Sequence, residues 1–196
     1  MVNQSIYKRQ KQQYTQTAAR LTMYHGVGAG FVFYHKNKRV HAESLHLPDT
    51  STVFQAEIEA ISHACQYALA NPQELDIKYI KILSDSQAAI KALNKPRITS
   101  QSVPTALEYM ETLALEVKHL TLAWIKAHVG TEGNEQADQA AKEGAAGGSH
   151  MKEAQTPIPW QEAKNKIKEY TTSKWKHKWI TSPQYKHPKL FYNSPS

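Results

Sequence analysis

Between Val27 and Tyr34 the chain is continuously apolar and rich in β-formers. From Val40 to Leu47 it alternates polar with apolar, after the polar stretch His35-Lys36-Asn37-Lys38-Arg39. Two such runs around a short polar turn predict a β-hairpin. Gly26, Gly28 and Gly30 occupy every second position of the first run, so one face of that strand lacks side chains and leaves room for a close approach to its backbone. No helix succeeds these glycines, which argues against a nucleotide-binding loop. Pro48-Asp49 ends the second strand, and Thr50, Ser51 and Thr52 offer caps for a helix. Phe54, Ile58, Ile61, Cys65 and Leu69 recur at spacings of three and four, predicting that helix from Phe54 to Ala70 with one stripe toward the core.

Asn71-Pro72 stops that helix. Ile77 to Leu83 then reads as a strand, with Ile80 and Ile82 on one side and Tyr79 and Lys81 on the other; Ser84-Asp85-Ser86 leads from it into a short helix from Gln87 to Leu93. A loop containing Lys95-Pro96-Arg97 and Val103-Pro104 leads to a helix striped by Leu107, Met110, Leu113 and Val117. Leu120 to Ile125 is the last predicted strand, Lys126 to Asn134 a loop, and Asn134 to Ala146 an alanine-rich helix. The order β, β, α, β, α, α, β, α, with room for one more strand before Gly26, predicts an α/β domain in which helices pack on a mixed sheet. Helix–strand alternation after Phe54 favours parallel pairing there.

Gly147-Gly148-Ser149 breaks the pattern, and Gly148-Ser149-His150-Met151 also matches the remnant that affinity-tag cleavage leaves. These signals divide the chain into an N-terminal extension (1–13), a domain (14–146) and a basic linker and tail (147–196). Trp160, Ile167, Tyr170, Lys174, Trp175 and Trp179 lie in a stretch with helical potential, and Pro183, Pro188 and Pro195 punctuate the residues after it.

Charge changes this picture. The formal net charge is +7, yet residues 1–42 carry seven Lys/Arg and no acid, 43–146 eight against fourteen Asp/Glu, and 147–196 nine against three. An acidic middle between basic flanks is what a cation-binding centre between phosphate-contacting arms requires; solvated faces and a basic tail without structure are the plainer alternative. The single cysteine, Cys65, cannot form an internal disulfide and suits a reducing compartment as a small core residue. No apolar run approaches the roughly twenty residues that span a bilayer, and no secretory h-region stands behind the N-terminal basic residues. The expectation is an intracellular protein, nuclear or cytoplasmic, with no membrane partner.

Three acids stand at borders of regular elements: Glu57 in the first turn of the long helix, Asp85 at the end of a strand, and Asp138 in the last helix, ten residues after His128. Singly, an acid at a helix start ordinarily serves the macrodipole. Taken together, Ala56-Glu57-Ile58-Glu59-Ala60, Leu83-Ser84-Asp85-Ser86-Gln87-Ala88 and Trp124-Ile125-Lys126-Ala127-His128-Val129-Gly130, continuing to Asn134 and Asp138, resemble the ribonuclease H family over about residues 26–146. Within it the likeness is to the domain that follows reverse transcriptase in jockey-like non-LTR retrotransposons. The resemblance implies a five-stranded mixed sheet, and hydrolysis of the RNA strand of RNA/DNA hybrids with two Mg²⁺ ions, Mn²⁺ being a substitute. It makes Glu57, Asp85 and Asp138 metal ligands, gives His128 a part in proton movement and product release, and has Asn134 position that loop or the substrate. A reverse transcriptase domain is an implied partner. Glu59 is read as a solvated neighbour.

The resemblance also exposes a departure. Where the family's first strand ends in Tyr-Thr-Asp-Gly-Ser, this chain reads Tyr14-Thr15-Gln16-Thr17-Ala18, and Glu43 is its first acid. An amide keeps an oxygen but removes a negative charge from between two dications. If Gln16 is encoded CAG, its last base and the Thr17 codon spell GAC, an Asp codon, and permitted codons through Thr22 continue Asp-Gly-Ser-Lys-Thr-Asp. Residues 15 to about 24 are thus expected to be read out of frame, through compensating shifts or a mispredicted exon. The functional expectation is an impaired hybrid ribonuclease, with a catalytically inactive nucleic-acid-binding remnant as the alternative. The family's basic protrusion has little room between Lys95 and Val103. Lys174, Trp175, Lys176, Lys178 and Trp179 are the candidates to replace it; packing of the tail helix on the domain or a neighbour is the other reading.

Overall fold

A computed structural model of the chain describes residues 13–22 (main chain), 26–72, 78–95, 100–126, 132–147 and 154–183. Five strands, β1 (Gln13–Thr22), β2 (Gly26–His35), β3 (Lys38–Leu47), β4 (Tyr79–Ser84) and β5 (His119–Trp124), form one sheet in the order β3-β2-β1-β4-β5. β1, β2 and β3 pair antiparallel, whereas β4 is parallel to both β1 and β5. The expected mixed sheet is present, and the strand before Gly26 is its central member.

The hairpin turn is tighter than the five polar residues indicate. Only Lys36 and Asn37 lie outside the ladder, both at positive φ (52° and 61°), as a two-residue turn matched to strand twist requires. Helix α1 (Val53–Ala70) begins at Thr52, whose hydroxyl accepts from the Gln55 N–H while the Gln55 side chain accepts from the Thr52 N–H. This reciprocal cap satisfies two of the orphan donors at the helix start. Ile58, Ile61 and Cys65 are fully buried, with Phe54 and Leu69 packed at their margin. Helix α2 (Gln87–Leu93) is capped by the Ser86 hydroxyl, which accepts from the Ala89 N–H at 3.2 Å. Helix α3 starts at Ser102 and runs to Glu116, so Val103 and Pro104, expected in the loop, form its first turn. A proline there costs no intrahelical bond.

Helix α4 (Glu132–Ala146) lies on the sheet face opposite α1. Alternation along β2 decides this: Val27, Ala29 and Phe33 pack with α1, whereas Val32 and Tyr34 pack with Ala137 of α4. The glycines explain how closely α4 approaches. A methyl at Gly28 would overlap Ala141 O and Ala145 N, one at Gly30 would overlap the Ala141 N–H region, and one at Gly144 would overlap Leu45 O. The side-chain-free face seen in the sequence therefore seats a helix. The chain divides into two units after Pro157, and α5 (Trp160–Thr181), in the second, has no buried residue.

One edge contact is electrostatic. The Glu43 carboxylate of β3 lies 3.2 Å from His63 Nδ1 on α1 and 3.5 Å from His41 Nε2, whose ring stacks on Tyr67. Hydrogen bonding from His63 is the largest cause holding the Glu43 carboxyl below its ordinary value, against the opposing effect of burial. Glu59, expected to be solvated, is partly buried, and desolvation raises its carboxyl. Cys65 is buried and its thiol is pushed up to about 12, in keeping with an inert core residue.

These contacts predict two outcomes. Gly28→Ala forces α4 off the sheet and destabilises the fold by about 1–3 kcal/mol or more, read as a lowered urea midpoint. For Glu43, whose folded value is depressed, the stabilisation is present above the unfolded value of 4.5 and is lost as pH falls through the folded value. Glu43→Gln should therefore flatten the loss of stability below about pH 4.5; an unchanged acid limb contradicts the assignment.

Candidate active site

Strand β4 alternates Ile80, Ile82 and Ser84 toward α1, so a hydroxyl ends an otherwise apolar row. That hydroxyl is fully buried and makes two bonds. Ser84 Oγ donates to Glu57 Oε2 at 3.1 Å and accepts the Ser86 N–H at 3.1 Å. Glu57 is itself 4% exposed, so a donor at its oxygen offsets part of the cost of burying a carboxylate. One serine thus couples the second turn of α1, where Glu57 falls instead of in the first turn expected from a start at Phe54, to the turn that carries Asp85.

The same turn is held from β5. Ile125 N–H donates to Ser84 O at 3.0 Å, and the Trp124 indole N–H donates to Asp85 O at 3.0 Å while about half of the Trp124 ring stays exposed. With Ser86 capping α2, the backbone on both sides of Asp85 is tied down. Ser84 and Trp124 lie within segments that carry the family resemblance, but the sequence assigns neither of them a role in the site. The available signal is Ser84 itself, a small polar residue on the apolar face of a strand.

Position 16 falls between the two helix layers. In the ladder Gln16 pairs with Leu83 of β4, two residues before Asp85, and with Val32 of β2. Val32 packs against Ala137, the residue before Asp138. The main-chain register therefore runs from Leu83 through position 16 to Val32, which packs on Ala137 of α4. Asp138 enters from that second face, and its Oδ2 lies 2.9 Å from Lys142 Nζ one turn along the helix. Asn134 is buried, with an Oδ1 that has no hydrogen-bond partner among the described residues. Gln136, between them, accepts from Tyr34 Oη at 3.0 Å and fixes this first part of α4 to β2. His128 lies outside the described residues.

Ser84 thus links Glu57 to the backbone turn that carries Asp85, and Asp138 is set on the helix of the other sheet face. Among the described residues, no three His, Cys, Asp or Glu side chains are grouped so as to hold a metal ion. Carboxylates are the oxygen donors that hard divalent cations take.

The sequence profile of the RNase H family matches residues 8–146. The chain belongs to the RNase H family. The architecture is similar to RNase H1 from Halobacterium salinarum, at 18% identity and TM-score 0.55, covering 69% of this chain and 98% of that one. It is also similar to LC11-RNase H1 solved with an RNA/DNA hybrid, at 15% identity and TM-score 0.52, covering 67% and 98%. A third similar structure is the foamy viral protease-reverse transcriptase with an RNA/DNA hybrid, at 20% identity and TM-score 0.51, covering 68% of this chain and 19% of that one. At these identities the likeness is one of fold. No curated protein matches the chain in sequence. RNase H membership brings with it a general use of divalent metal ions, and Ser84 ties the buried Glu57 carboxylate to the backbone turn that carries Asp85.

Ser84→Ala removes one partner from Glu57 and one from the Ser86 N–H. It should lower stability by about 1–3 kcal/mol in urea unfolding, and Ser84→Thr, which keeps the hydroxyl, should recover much of this. An unchanged midpoint for the alanine variant contradicts the coupling role.

Proposed function

We propose that this chain is the hybrid ribonuclease of a retroelement, of the jockey-like non-LTR kind, with its metal-dependent hydrolysis of the RNA strand impaired by Gln16. The observation that carries the reading is the register. Position 16 pairs beside Leu83, so its residue stands next to the turn that Ser84 links to Glu57. An acid at that position would complete a set of oxygen donors with Glu57, Asp85 and Asp138; an amide leaves it one negative charge short.

Mg²⁺ ions bound by these carboxylates, or Mn²⁺ in their place, would supply an activated water and a stabilised leaving oxygen. The chain's own residues do the positioning. Glu57 is oriented by the Ser84 hydroxyl, and the backbone at Asp85 is held by the bonds on either side of it. Asp138 shares its carboxylate with Lys142, a pairing that competes with any cation approaching it. Asn134 positions the substrate or the segment that carries His128, and His128 moves a proton and assists product release. The foamy viral protein, a protease-reverse transcriptase solved with a hybrid and similar to this chain over part of its length, supports the retroelement context.

A second reading is favoured by Gln16 alone: a hybrid-binding remnant without catalysis. The two part at one experiment. Cleavage of a labelled RNA/DNA hybrid is measured in Mg²⁺ and Mn²⁺ for the chain as it stands and for Gln16→Asp. Loss of a supporting partner alone costs about 10- to 100-fold, so restoring a shared ligand should raise turnover by at least that much. Wild-type cleavage that Asp fails to increase would mean the missing ligand lies elsewhere, and no cleavage by either protein favours the remnant. Sequencing the coding DNA tests the frame reading, which a Gln16 codon other than CAG removes.

A further inference from the structure

Residues 154–157 form a strap on the first unit. Ala154 N–H donates to His46 O of β3 at 2.8 Å, Thr156 Oγ1 lies 2.7 Å from Ser51 Oγ, and Gln55 Nε2 donates to Pro157 O at 2.7 Å. Gln55 is itself buried in the capping box of α1, two residues before Glu57. The strap therefore ends at the same helix turn that carries a candidate catalytic acid. Three residues of chain, about 11 Å at full extension, lead from Pro157 to the start of α5 at Trp160.

Helix α5 has 22 residues, about 33 Å at 1.5 Å per residue, and buries none of them. It carries six lysines against Glu162 and Glu169. A helix with no apolar side to bury needs another reason to be kept. Its periodicity supplies one. Trp160, Lys164, Ile167, Thr171, Lys174, Trp175 and Lys178 recur at three and four residues and share a face; Lys166 falls on the other side, and so does Lys176, which corrects the expectation that Lys176 belongs with Lys174 and Lys178. Lys164 Nζ lies 5.2 Å from the centre of the Trp160 ring and Lys174 Nζ 5.5 Å from that of Tyr170, which restrains both ammonium groups along the helix. Trp160 and Trp175 remain exposed.

We infer that α5 is a nucleic-acid-gripping arm, tethered to the Glu57 turn by the 154–157 strap, whose Lys164, Lys174 and Lys178 face binds the phosphate backbone of a duplex. Charge complementarity selects the partner, because lysines interleaved with exposed indoles on one face suit phosphates and sugars and leave no continuous apolar stripe for a protein groove or a bilayer. A tether that starts at this turn raises the local concentration of the arm around any hybrid bound there. This deepens the hybrid-binding reading above and rests on it for the identity of the duplex.

Binding of a fluorescein-labelled RNA/DNA hybrid is followed by anisotropy in EDTA, so that no cleavage intervenes, over a range of salt. Lys174→Gln with Lys178→Gln should make the slope of log K against log salt shallower by about 1.8, at about 0.9 per phosphate contact. Lys166→Gln with Lys176→Gln removes the same charge from the other face and should change the slope by clearly less. A Gly/Ser insertion after Pro157 keeps every lysine and should weaken binding several-fold. Equal slope changes for the two pairs, no change for either, or binding of α5 to phosphatidylserine vesicles with an unaltered duplex slope would overturn the assignment. A protein that binds with the expected slopes but cleaves nothing, with Asp at position 16 or without, would instead overturn the ribonuclease reading and leave the arm standing.

Discussion

The main chain of α4 rests against a strand face that has no side chains, and much of the molecule depends on that contact. Gly28 and Gly30 let Ala140, Ala141 and Ala145 approach β2 at backbone distance, and Gly144 does the same toward β3. Packed interiors do not stretch to absorb a misplaced methyl. The height of α4 over the sheet is therefore fixed, and with it the position of Asp138 relative to β1. His46 adds a polar pin at the far end, its Nδ1 lying 3.0 Å from Gly144 O. A helix seated on side chains would stand farther from the sheet, and an acid on it could not reach toward strands that the opposite layer also serves.

The two helix layers use carboxylates at different depths and for different ends. Glu57 is buried where a single hydroxyl joins it to the β4 turn, so its orientation is set by a network with few alternatives. Buried polar groups arranged in this way specify geometry more than they add stability. Glu43 sits at the sheet edge between two imidazoles, partly exposed, where its contribution depends on pH and little depends on its exact orientation. The difference is visible in what each one touches. Glu57 meets the end of a parallel strand, where this class of sheet gathers its ligands, whereas Glu43 ties an edge strand to the middle of a helix.

Much of this was legible in the residues. The apolar spacing of α1, the alternation of β4 and the length of α2 are local signals, and the structure places them within a residue or two of where the pattern put them. The glycine repeat announced a close approach but not its occupant, because the alanines that fill it lie more than a hundred residues away. Pro104 read as a loop marker because a proline at the third helical position looks, without its neighbours, like a breaker. Ser84 and Trp124 were missed for a related reason. Their roles come from hydrogen bonds to Glu57 and to the Asp85 carbonyl across the sheet, and neither partner is near in sequence. The strap from Ala154 to Pro157 left no composition signal at all, since its bonds are to the His46 carbonyl, to the Ser51 hydroxyl and to a glutamine already committed as a cap, all about a hundred residues away.

The central strand explains how chemistry and fold can be uncoupled in such a chain. β1 is held by an antiparallel ladder to β2 from Tyr14 to Thr22 and a parallel one to β4 from Gln13 to Thr17, and those bonds belong to the backbone. Any sequence tolerated in a strand and free of proline can make them. Residues 13–22 contain no proline and no glycine, so a changed reading frame in this segment need not open the sheet. An acid at position 16 contributes nothing to the ladder; its value lies wholly in the charge it would set beside the Asp85 turn. Selection on folding alone would therefore keep β1 and let that acid go, while the lysines of α5, which depend on no catalytic geometry, would keep their capacity to bind phosphate. On the reading proposed above, such a protein would lose catalysis by a change at one residue and duplex binding only after many.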